Sequence, residues 1–203
     1  MNPCSFCKQL EAKKTKINDI EINRIIYESK NFVVFPALGQ IVEGYLLIIP
    51  KQHYISIVQI PDNLYFELEQ VQEKVKNLLT KNYSEPIFFE HGPLSENEKA
   101  GCCIDHAHLH CVPVSVSILE EITKHFEYQK IDNFSQLPTH LPYLYLEENN
   151  KKYSFPIKTI LPHQYLRQIL AVKTNNPEKW DWRTHPELEK VQNTIQKLKE
   201  KFK

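Results

Sequence analysis

Residues 105–113 carry a histidine at every second position, at His106, His108 and His110. The residues between these histidines are small or apolar: Ala107, Leu109 and Cys111. Successive side chains of a β-strand point to opposite faces, so the spacing predicts a strand with three imidazoles on one face. Imidazole can act near neutral pH as a nucleophile, a general acid or base, or a metal ligand. The alternative is a structural role, because a His-x-His pair is often half of a zinc site.

The composition limits the partners that the chain can have. With 203 residues, of which 41% are hydrophobic, it is long enough for one large domain or a compact domain with an appendage. It has 25 basic and 25 acidic residues, so we expect no extended nucleic-acid partner, and any phosphate must be held locally. Scattered cations such as Arg167, Lys173 and Arg183 could reach a phosphate but are more typical of a solvated surface. Without a signal-like N-terminus or a long apolar window, we expect a soluble, cytoplasmic protein with no membrane partner.

The cysteines favour thiols or metal ligands over a disulfide framework. The chain has five cysteines, an odd number, and two of them, Cys102 and Cys103, are adjacent. Cys4 and Cys7 form a Cys-x-x-Cys knuckle, whose two thiolates can share one zinc ion. The knuckle alone is half of a zinc site, and a redox pair or two unrelated thiols remain alternatives.

Apolar patterning predicts the elements of the first half of the chain. Residues 24–27 and 32–35 flank a polar turn and predict a β-hairpin. Residues 45–49 form a continuous apolar run, which predicts a central buried strand. Apolar residues at helical spacing after Asp62 predict a helix with Asp62 as its N-cap. Residues 87–90 predict a further strand.

The second half of the chain also has the pattern of folded structure. Apolar periodicity predicts a helix over residues 117–128 and a β-hairpin over residues 143–157. Pro162 can start a further helix, and residues 184–187 have the sequence of a capping box that opens a final amphipathic helix. We therefore expect one helix, one hairpin and two more helices after the histidine-rich strand.

Residues 106–113 resemble the signature of the histidine-triad (HIT) superfamily of nucleotide hydrolases and transferases, in which apolar residues separate three histidines. Residues 32–36, 44–53 and 89–93 are similar to other runs of that family and occur in its order. The resemblance implies an α+β fold for a core over residues 1–115, with an antiparallel β-sheet and flanking helices. Residues 116–203 would form an α/β extension packed on this core. Small members of the family often form homodimers through a continuous sheet, and the extension could cover or replace that interface.

The resemblance also assigns roles to individual residues. Members with an N-terminal knuckle complete a structural zinc site with two histidines, which correspond here to His53 and His106 beside Cys4 and Cys7. The nucleotide contacts that it implies are Asn31, Phe35, Pro36, Glu90, His91 and Cys103. For Phe32 and Phe35 ordinary core packing is an alternative, and for His91 the alternative is a loop histidine in solvent.

By the same resemblance, His108 is the nucleophile that attacks an α-phosphate to give a nucleotidyl-histidine. His110 would contact the phosphate oxygens or the leaving group, and would supply positive charge when protonated, while His106 would hold zinc or orient the site. Many members carry Ser or Thr at the position of Cys103. A thiol is a weaker hydrogen-bond donor than a hydroxyl, so the usual contact with the leaving group is in doubt at this position. Some uridylyltransferase-type members also have a cysteine near this site, so the departure favours transfer slightly over hydrolysis.

Four functions remain open at this point. The leading hypothesis is a HIT-type hydrolase that cleaves a phosphoric anhydride or phosphoramidate bond of a nucleotide conjugate, such as a dinucleoside polyphosphate, a nucleoside phosphoramidate or a nucleotide sugar. The second is a nucleotidylyltransferase or phosphorylase that passes the nucleotidyl group to a phosphate acceptor. The third is a non-catalytic module that binds a nucleotide or an RNA end. A metallohydrolase with all three histidines on one metal is less favoured, because alternate strand residues suit at most two adjacent ligands.

Overall fold

Residues 4–17, 20–96 and 104–202 are described by the structure, a computed structural model. The helices are α1 (Ser5–Ala12), α2 (Tyr65–Asn82), α3 (Leu119–Thr123), α4 (Tyr165–Lys173) and α5 (Leu188–Leu198). The strands are β1 (Thr15–Ile17), β2 (Ile20–Ile22), β3 (Tyr27–Glu28), β4 (Phe32–Pro36), β5 (Leu46–Pro50), β6 (Pro86–Gly92), β7 (Leu109–Pro113), β8 (Gln129–Ile131), β9 (Tyr143–Glu148) and β10 (Lys151–Pro156). Short 3-10 turns cover Ile57–Gln59, Asp62–Leu64, Phe134–Gln136, Pro177–Trp180 and Lys199–Lys201.

Eight of these strands form one antiparallel sheet in the order β3-β4-β5-β7-β6-β9-β10-β8, and β1 and β2 pair separately. The predicted hairpin is confirmed as β3 and β4, and the predicted buried strand is confirmed as β5, all of whose residues are buried. Strand β5 lies between β4 and β7, which explains why its sequence is apolar on both faces. The predicted α+β class, an antiparallel sheet with flanking helices, is confirmed.

Helices cover both faces of the sheet. Leu109 and Cys111 of β7 pack on the face that α2 covers, together with apolar residues of that helix such as Leu68 and Val71. Val112 packs on the opposite face, in the cluster that includes α4. Alternation along β7 places His110 on the same face as Val112, away from α2. Among the described residues, no helix is long and apolar enough to cross a membrane.

The histidine-rich strand is shorter than predicted. It begins at Leu109 instead of residue 105, so His106 and His108 precede the strand. The reason lies in the backbone, since the amide of Ala107 donates to the carbonyl of Tyr54, 2.6 Å away, in the loop after β5. The amide of His106 turns back to the carbonyl of Ile104. These bonds replace the regular ladder before Leu109.

Some other boundaries were also predicted wrongly. Asp62 lies inside a 3-10 turn, and no side-chain cap precedes that turn or α2. The helix expected over residues 117–128 covers only Leu119–Thr123, and it is followed by β8, which the pattern did not indicate. The expected capping box at residues 184–187 does not form, because the hydroxyl of Thr184 donates to the carbonyl of Asp181.

Residues after 115 continue the sheet of the first half of the chain. The predicted hairpin is confirmed as β9 and β10, and β9 pairs with β6 along five residues of each strand. Strand β6 is therefore paired on both edges, with β7 and with β9. The division into units 1–115 and 116–203 stays a prediction, since a continuous sheet does not show where a folding unit ends.

Candidate functional site

Four predicted metal ligands converge at the start of α1. The ligand atoms of Cys4, Cys7, His53 and His106 all lie within 4.8 Å of one another. The Nδ1 of His106 lies 3.5 Å from the Sγ of Cys4 and 3.6 Å from the Sγ of Cys7. The Nδ1 of His53 lies 3.4 Å from the Sγ of Cys7 and 3.2 Å from the Nδ1 of His106.

These separations fit tetrahedral zinc. Zn–S bonds of about 2.3 Å and Zn–N bonds of about 2.0–2.1 Å place sulfur and nitrogen ligands about 3.5–3.6 Å apart, and two nitrogens about 3.3–3.4 Å apart. The Nε2 of His106 lies 2.9 Å from the carbonyl oxygen of Pro50, which keeps the ring proton on Nε2 and leaves Nδ1 free for a metal. A set of two cysteines and two histidines is closed, so such an ion would be structural.

A cavity of about 420 Å³ lies next to this cluster. It is bordered by residues from both halves of the chain, among them Phe6, Arg24, His91, His108, His110 and Arg167. Phe6 lies between the two knuckle cysteines in the sequence. Its ring contacts those of His106 and His108 at centroid distances of 5.8 Å and 5.5 Å. The metal cluster and the cavity therefore share a wall.

His108 is oriented by the backbone of His106. Its Nδ1 lies 2.6 Å from the carbonyl oxygen of His106. A carbonyl can only accept a hydrogen bond, so Nδ1 carries the proton and Nε2 has a free lone pair. Burial lowers the pKa of His108 to about 4, so the ring is neutral at physiological pH. The ring has the form that a nucleophile requires.

His110 is held by Tyr45 and Phe89. Its Nδ1 lies 2.7 Å from the hydroxyl of Tyr45, and its ring stacks on Phe89 at a centroid distance of 4.4 Å. Burial raises the pKa of Tyr45 to about 12, so this hydroxyl keeps its proton and can donate it to Nδ1. The imidazole proton then lies on Nε2, on the other side of the ring. The rings of His108 and His110 are 4.7 Å apart.

His91 is buried at the cavity wall and is not the solvent-exposed loop histidine of the alternative interpretation. Its Nε2 accepts the backbone amide of Leu166 in the first turn of α4, at 3.1 Å. Burial lowers the pKa of His91 to about 3 and that of His110 well below its ordinary value. The cavity histidines are therefore neutral, and positive charge must come from other residues.

Two buried arginines supply that charge. Arg24 donates to the side chains of Thr15 and Gln9 and to the carbonyl of Pro36. Burial lowers its pKa to about 9, so it is still protonated at neutral pH. Arg167 donates to two backbone carbonyls, and it lies over the ring of Tyr45 at 5.2 Å. Within the part of the chain that the structure describes, both guanidiniums are bonded only to neutral groups.

The remaining predicted nucleotide contacts lie in different places. Phe35 contacts Phe6 at 5.6 Å and lies under the guanidinium of Arg24, and the carbonyl of Pro36 binds the same guanidinium. Asn31 lies outside the cavity lining and donates to the carboxylate of Glu67. Their contacts with a nucleotide stay predictions.

Glu90 points away from the cavity. Its carboxyl accepts the amide of Ile57 at 2.8 Å and the hydroxyl of Tyr143 at 2.5 Å, on the face of the sheet that α2 covers. Burial raises its pKa to about 8. Its role as a nucleotide contact stays a prediction, as does that of Cys103, which lies outside the described residues.

Sequence reasoning did not identify Phe6, Arg24 or Gln164 as residues of this cavity, and it considered a solvated position the better interpretation of Arg167. Phe6 had a local signal, its place between two expected ligands. Arg24 and Arg167 had none, because a single arginine in a polar sequence looks like surface. Only the fold brings them to the histidines.

A family model described as "Protein similar to CwfJ C-terminal" matches residues 1–127. CWF19-like protein 1 of Xenopus laevis is 25% identical over 199 residues, which cover 89% of this chain and 34% of that protein. The chain thus spans about a third of the length of this curated relative. The protein called Protein hit of Bacillus subtilis (strain 168) is 29% identical over 111 residues, 54% of this chain and 70% of that protein.

Solved structures of HIT family proteins are also similar. One from Bacillus anthracis has a TM-score of 0.45 and 24% identity, and the match covers 59% of this chain and 86% of the other.

Proposed function

The chain belongs to the family of proteins similar to the CwfJ C-terminal, and we propose that it is a hydrolase that acts through a nucleotidyl-histidine. Its substrate class is a nucleotide conjugate with a phosphoric anhydride bond. The observation that carries the proposal is the hydrogen bond from Nδ1 of His108 to the carbonyl of His106, which leaves Nε2 unprotonated in a ring that lines the same cavity as two buried cations.

In the first step the Nε2 lone pair of His108 attacks the α-phosphorus. A P–N bond forms, the P–O bond to the leaving group breaks, and its electron pair stays on the leaving oxygen. The ring then carries a positive charge, which the hydrogen bond from Nδ1 to the His106 carbonyl stabilises. In the second step water attacks phosphorus, the P–N electron pair returns to Nε2, and a water proton passes to solvent.

The neutral state of His110 favours an anhydride over a phosphoramidate. With Tyr45 donating to Nδ1, His110 presents an Nε2–H that can donate to a phosphoryl oxygen. It has no spare proton to give to an amine. A phosphate leaving group needs none, because its second pKa is about 6 and it departs as an anion at neutral pH.

Zinc fits the proposal as a structural ion. Cys4, Cys7, His53 and His106 would hold it, and it would supply no step of the reaction because the ligand set is closed. Within this site His106 would bind the metal through its side chain, while its backbone carbonyl orients His108. Its predicted catalytic role is thereby proposed as a positioning role.

The test is mass spectrometry of products and of the intact protein. Wild type, His108→Ala and the exposed-histidine control His125→Ala are incubated with a diadenosine tetraphosphate, a UDP-sugar, ADP-ribose and an adenosine phosphoramidate. We expect wild type and the control to give nucleoside monophosphate and a transient adduct, and His108→Ala to give neither. Turnover that is unchanged in His108→Ala would disprove the proposal.

The same experiment distinguishes a hydrolase from a transferase, in which phosphate replaces water in the second step. Added inorganic phosphate would divert the adduct and give a nucleoside diphosphate in place of the monophosphate. The non-catalytic alternative is favoured by one observation, that His91 and His110 are both uncharged and so have no additional proton to give to a leaving group. Nucleotide binding by wild type without any product or adduct would support that alternative.

A further inference from the structure

An unsatisfied acceptor lies in the cavity wall at Gln164. The side chain is only 3% exposed, and its Oε1 has no hydrogen-bond partner in the described part of the chain. Its Nε2 donates to the carboxylate of Asp181 at 3.1 Å, which identifies Oε1 as the end of the amide that lacks a partner, in a residue that lines the cavity. A buried acceptor without a partner costs free energy, so its retention points to a donor on a bound molecule.

Arg167 lies three residues further along the chain, on the adjoining turn of α4. Its Nε donates to the carbonyl of Trp180 and its Nη2 to that of Gly39, at 2.9 Å and 2.6 Å. These bonds hold the guanidinium at the cavity without neutralising it. Burying a charge is unfavourable unless an opposite charge accompanies it, so this position favours an anionic ligand.

Gly39 explains how the guanidinium comes so close to the turn. Its φ is +63°, and a Cβ at this position would lie 2.5 Å from the Cα of Trp182 and 2.9 Å from Nη2 of Arg167. Only glycine leaves room for both groups. The turn between β4 and β5 and the segment after α4 are thus built around the arginine.

A continuous series of contacts runs from Arg167 across the histidines to Arg24. Arg167 lies over Tyr45, whose ring contacts His110 at 5.7 Å. His110 contacts His108, and His108 contacts Phe6. Phe6 contacts Phe35, which lies 4.4 Å below the guanidinium of Arg24. The two cations are therefore at opposite ends of the series, with the proposed nucleophile between them.

We propose that Gln164 and Arg167 form a second subsite, which binds the half of the substrate on the far side of the scissile bond from the nucleotidyl group. Arg167 binds a phosphate of that half, and Gln164 Oε1 accepts a hydroxyl or amine proton from it. The ligand class is thus a phosphate ester with hydroxyl or amine groups, such as a nucleoside phosphate or a sugar phosphate. The inference rests on the proposed function and names the second half of its substrate.

The experiment compares two substrates that share the nucleotidyl half. Diadenosine tetraphosphate has a phosphate ester as its second half, whereas the p-nitrophenyl ester of adenosine 5′-monophosphate has neither phosphate nor hydroxyl there. In Gln164→Met and Arg167→Met we expect kcat/KM for the tetraphosphate to fall about tenfold or more, as for a lost charge-assisted or buried hydrogen bond. For the ester we expect little change in Gln164→Met, and in Arg167→Met a smaller loss than for the tetraphosphate, because Arg167 also lies over Tyr45 beside His110. Gln168→Met, on the same helix outside the cavity lining, is the matched control.

The outcomes separate the subsite from the proposed function. Equal losses for both substrates, or no loss for either, would overturn the subsite while leaving the hydrolase intact. If wild type turns over neither of these substrates nor any other conjugate of the panel above, the proposed function fails, and binding to His108→Ala by calorimetry tests the subsite alone. The subsite is supported if His108→Ala binds diadenosine tetraphosphate more tightly than adenosine monophosphate and if adding Gln164→Met to this variant removes the difference. Equal affinities of His108→Ala for the two ligands would overturn the subsite. Parallel titrations with glucose 1-phosphate and adenosine monophosphate distinguish the two sources of phosphate ester.

Discussion

The Nε2 of His106 lies 2.9 Å from the carbonyl oxygen of Pro50, at the end of β5, while its Nδ1 faces the two cysteines. Both ring nitrogens are thereby occupied, so the side chain cannot also move protons in the cavity. The three histidines of one sequence motif consequently lie in two different environments. The first fits a metal site, and the other two line the cavity beside it.

Removing the metal ligands should therefore destabilise the fold. We expect Cys7→Ser to lose its zinc and about 3 kcal/mol or more of stability, since α1 would no longer be tied to the segment before β7. For a chain of this length that corresponds to a fall in Tm of roughly 6–12 °C. Elemental analysis and thermal unfolding measure the two effects, and a strong chelator should reproduce them in wild type.

Cys111→Ala provides the control for that experiment. Cys111 is a buried thiol on the other face of the sheet, outside the cluster, so this variant should keep one zinc per chain even if it is less stable. If Cys7→Ser retained a full equivalent of zinc, or if chelation left Tm unchanged, the structural zinc site would be disproved.

The hydroxyl of Tyr45 should matter for the rate more than for binding. Tyr45→Phe removes the donor to Nδ1 of His110, which frees the ring to place its proton on either nitrogen. Losing one buried hydrogen bond of about 1–2 kcal/mol predicts a roughly 5–30-fold fall in kcat, with KM little changed. Tyr65→Phe is the control, since it loses a bond to the carbonyl of Ile57 on the opposite face. A similar fall in kcat for both variants would contradict this role of Tyr45.

Much of the core could be predicted from the sequence because its signals are local. The alternation at His106, His108 and His110 indicated a strand, but only His110 lies in it, because the residues before Leu109 bond to the Tyr54 loop instead of a neighbouring strand. Local spacing placed Cys4 and Cys7 near one metal. Their partner histidines came only from the resemblance, and the structure brings all four together.

The other wall of the cavity could not be predicted in this way. Arg167 meets Gly39, which is 128 positions away in the chain, and His91 meets the amide of Leu166, which is 75 positions away. No period or spacing encodes such pairs, because they depend on how α4 packs over the end of the sheet. The position of Glu90 could not be predicted for the same reason, because its burial against Tyr143 depends on the pairing of β6 with β9.

The pairing of β6 also bears on oligomeric state. A homodimer with a continuous sheet needs a free strand edge, but β6 is paired on both sides, and the outermost strands of the sheet, β3 and β8, have only two and three residues. Short edge strands are poor templates for association. We expect light scattering after size exclusion to give the mass of one chain. A stable mass of two chains at micromolar concentration would contradict this prediction.

The contribution of Glu90 to the stability of the protein should decrease as pH rises. Burial raises the pKa of this carboxyl from 4.5 to about 8, so the folded state holds its proton over a range in which the unfolded chain has released it. Stability from this group is complete below pH 4.5 and is lost between about pH 4.5 and 8, at up to about 1.4 kcal/mol per pH unit. In Glu90→Gln this contribution disappears, so we expect the variant to gain stability relative to wild type as pH rises.

Glu67→Gln is the matched control, because the contribution of Glu67 to stability depends on pH with the opposite sign. Although burial acts the other way, hydrogen bonds from Ser29 and Asn31 lower the pKa of Glu67, so its contribution is present above pH 4.5 and is lost as pH falls. Urea unfolding at a series of pH values measures the difference between each variant and wild type. A constant difference between Glu90→Gln and wild type from pH 5 to 8 would show that Glu90 is ionised in the folded protein.

Because Glu90 points away from the cavity, its substitution should also leave nucleotide affinity unchanged. A large loss of affinity would instead support the nucleotide contact that the resemblance implies.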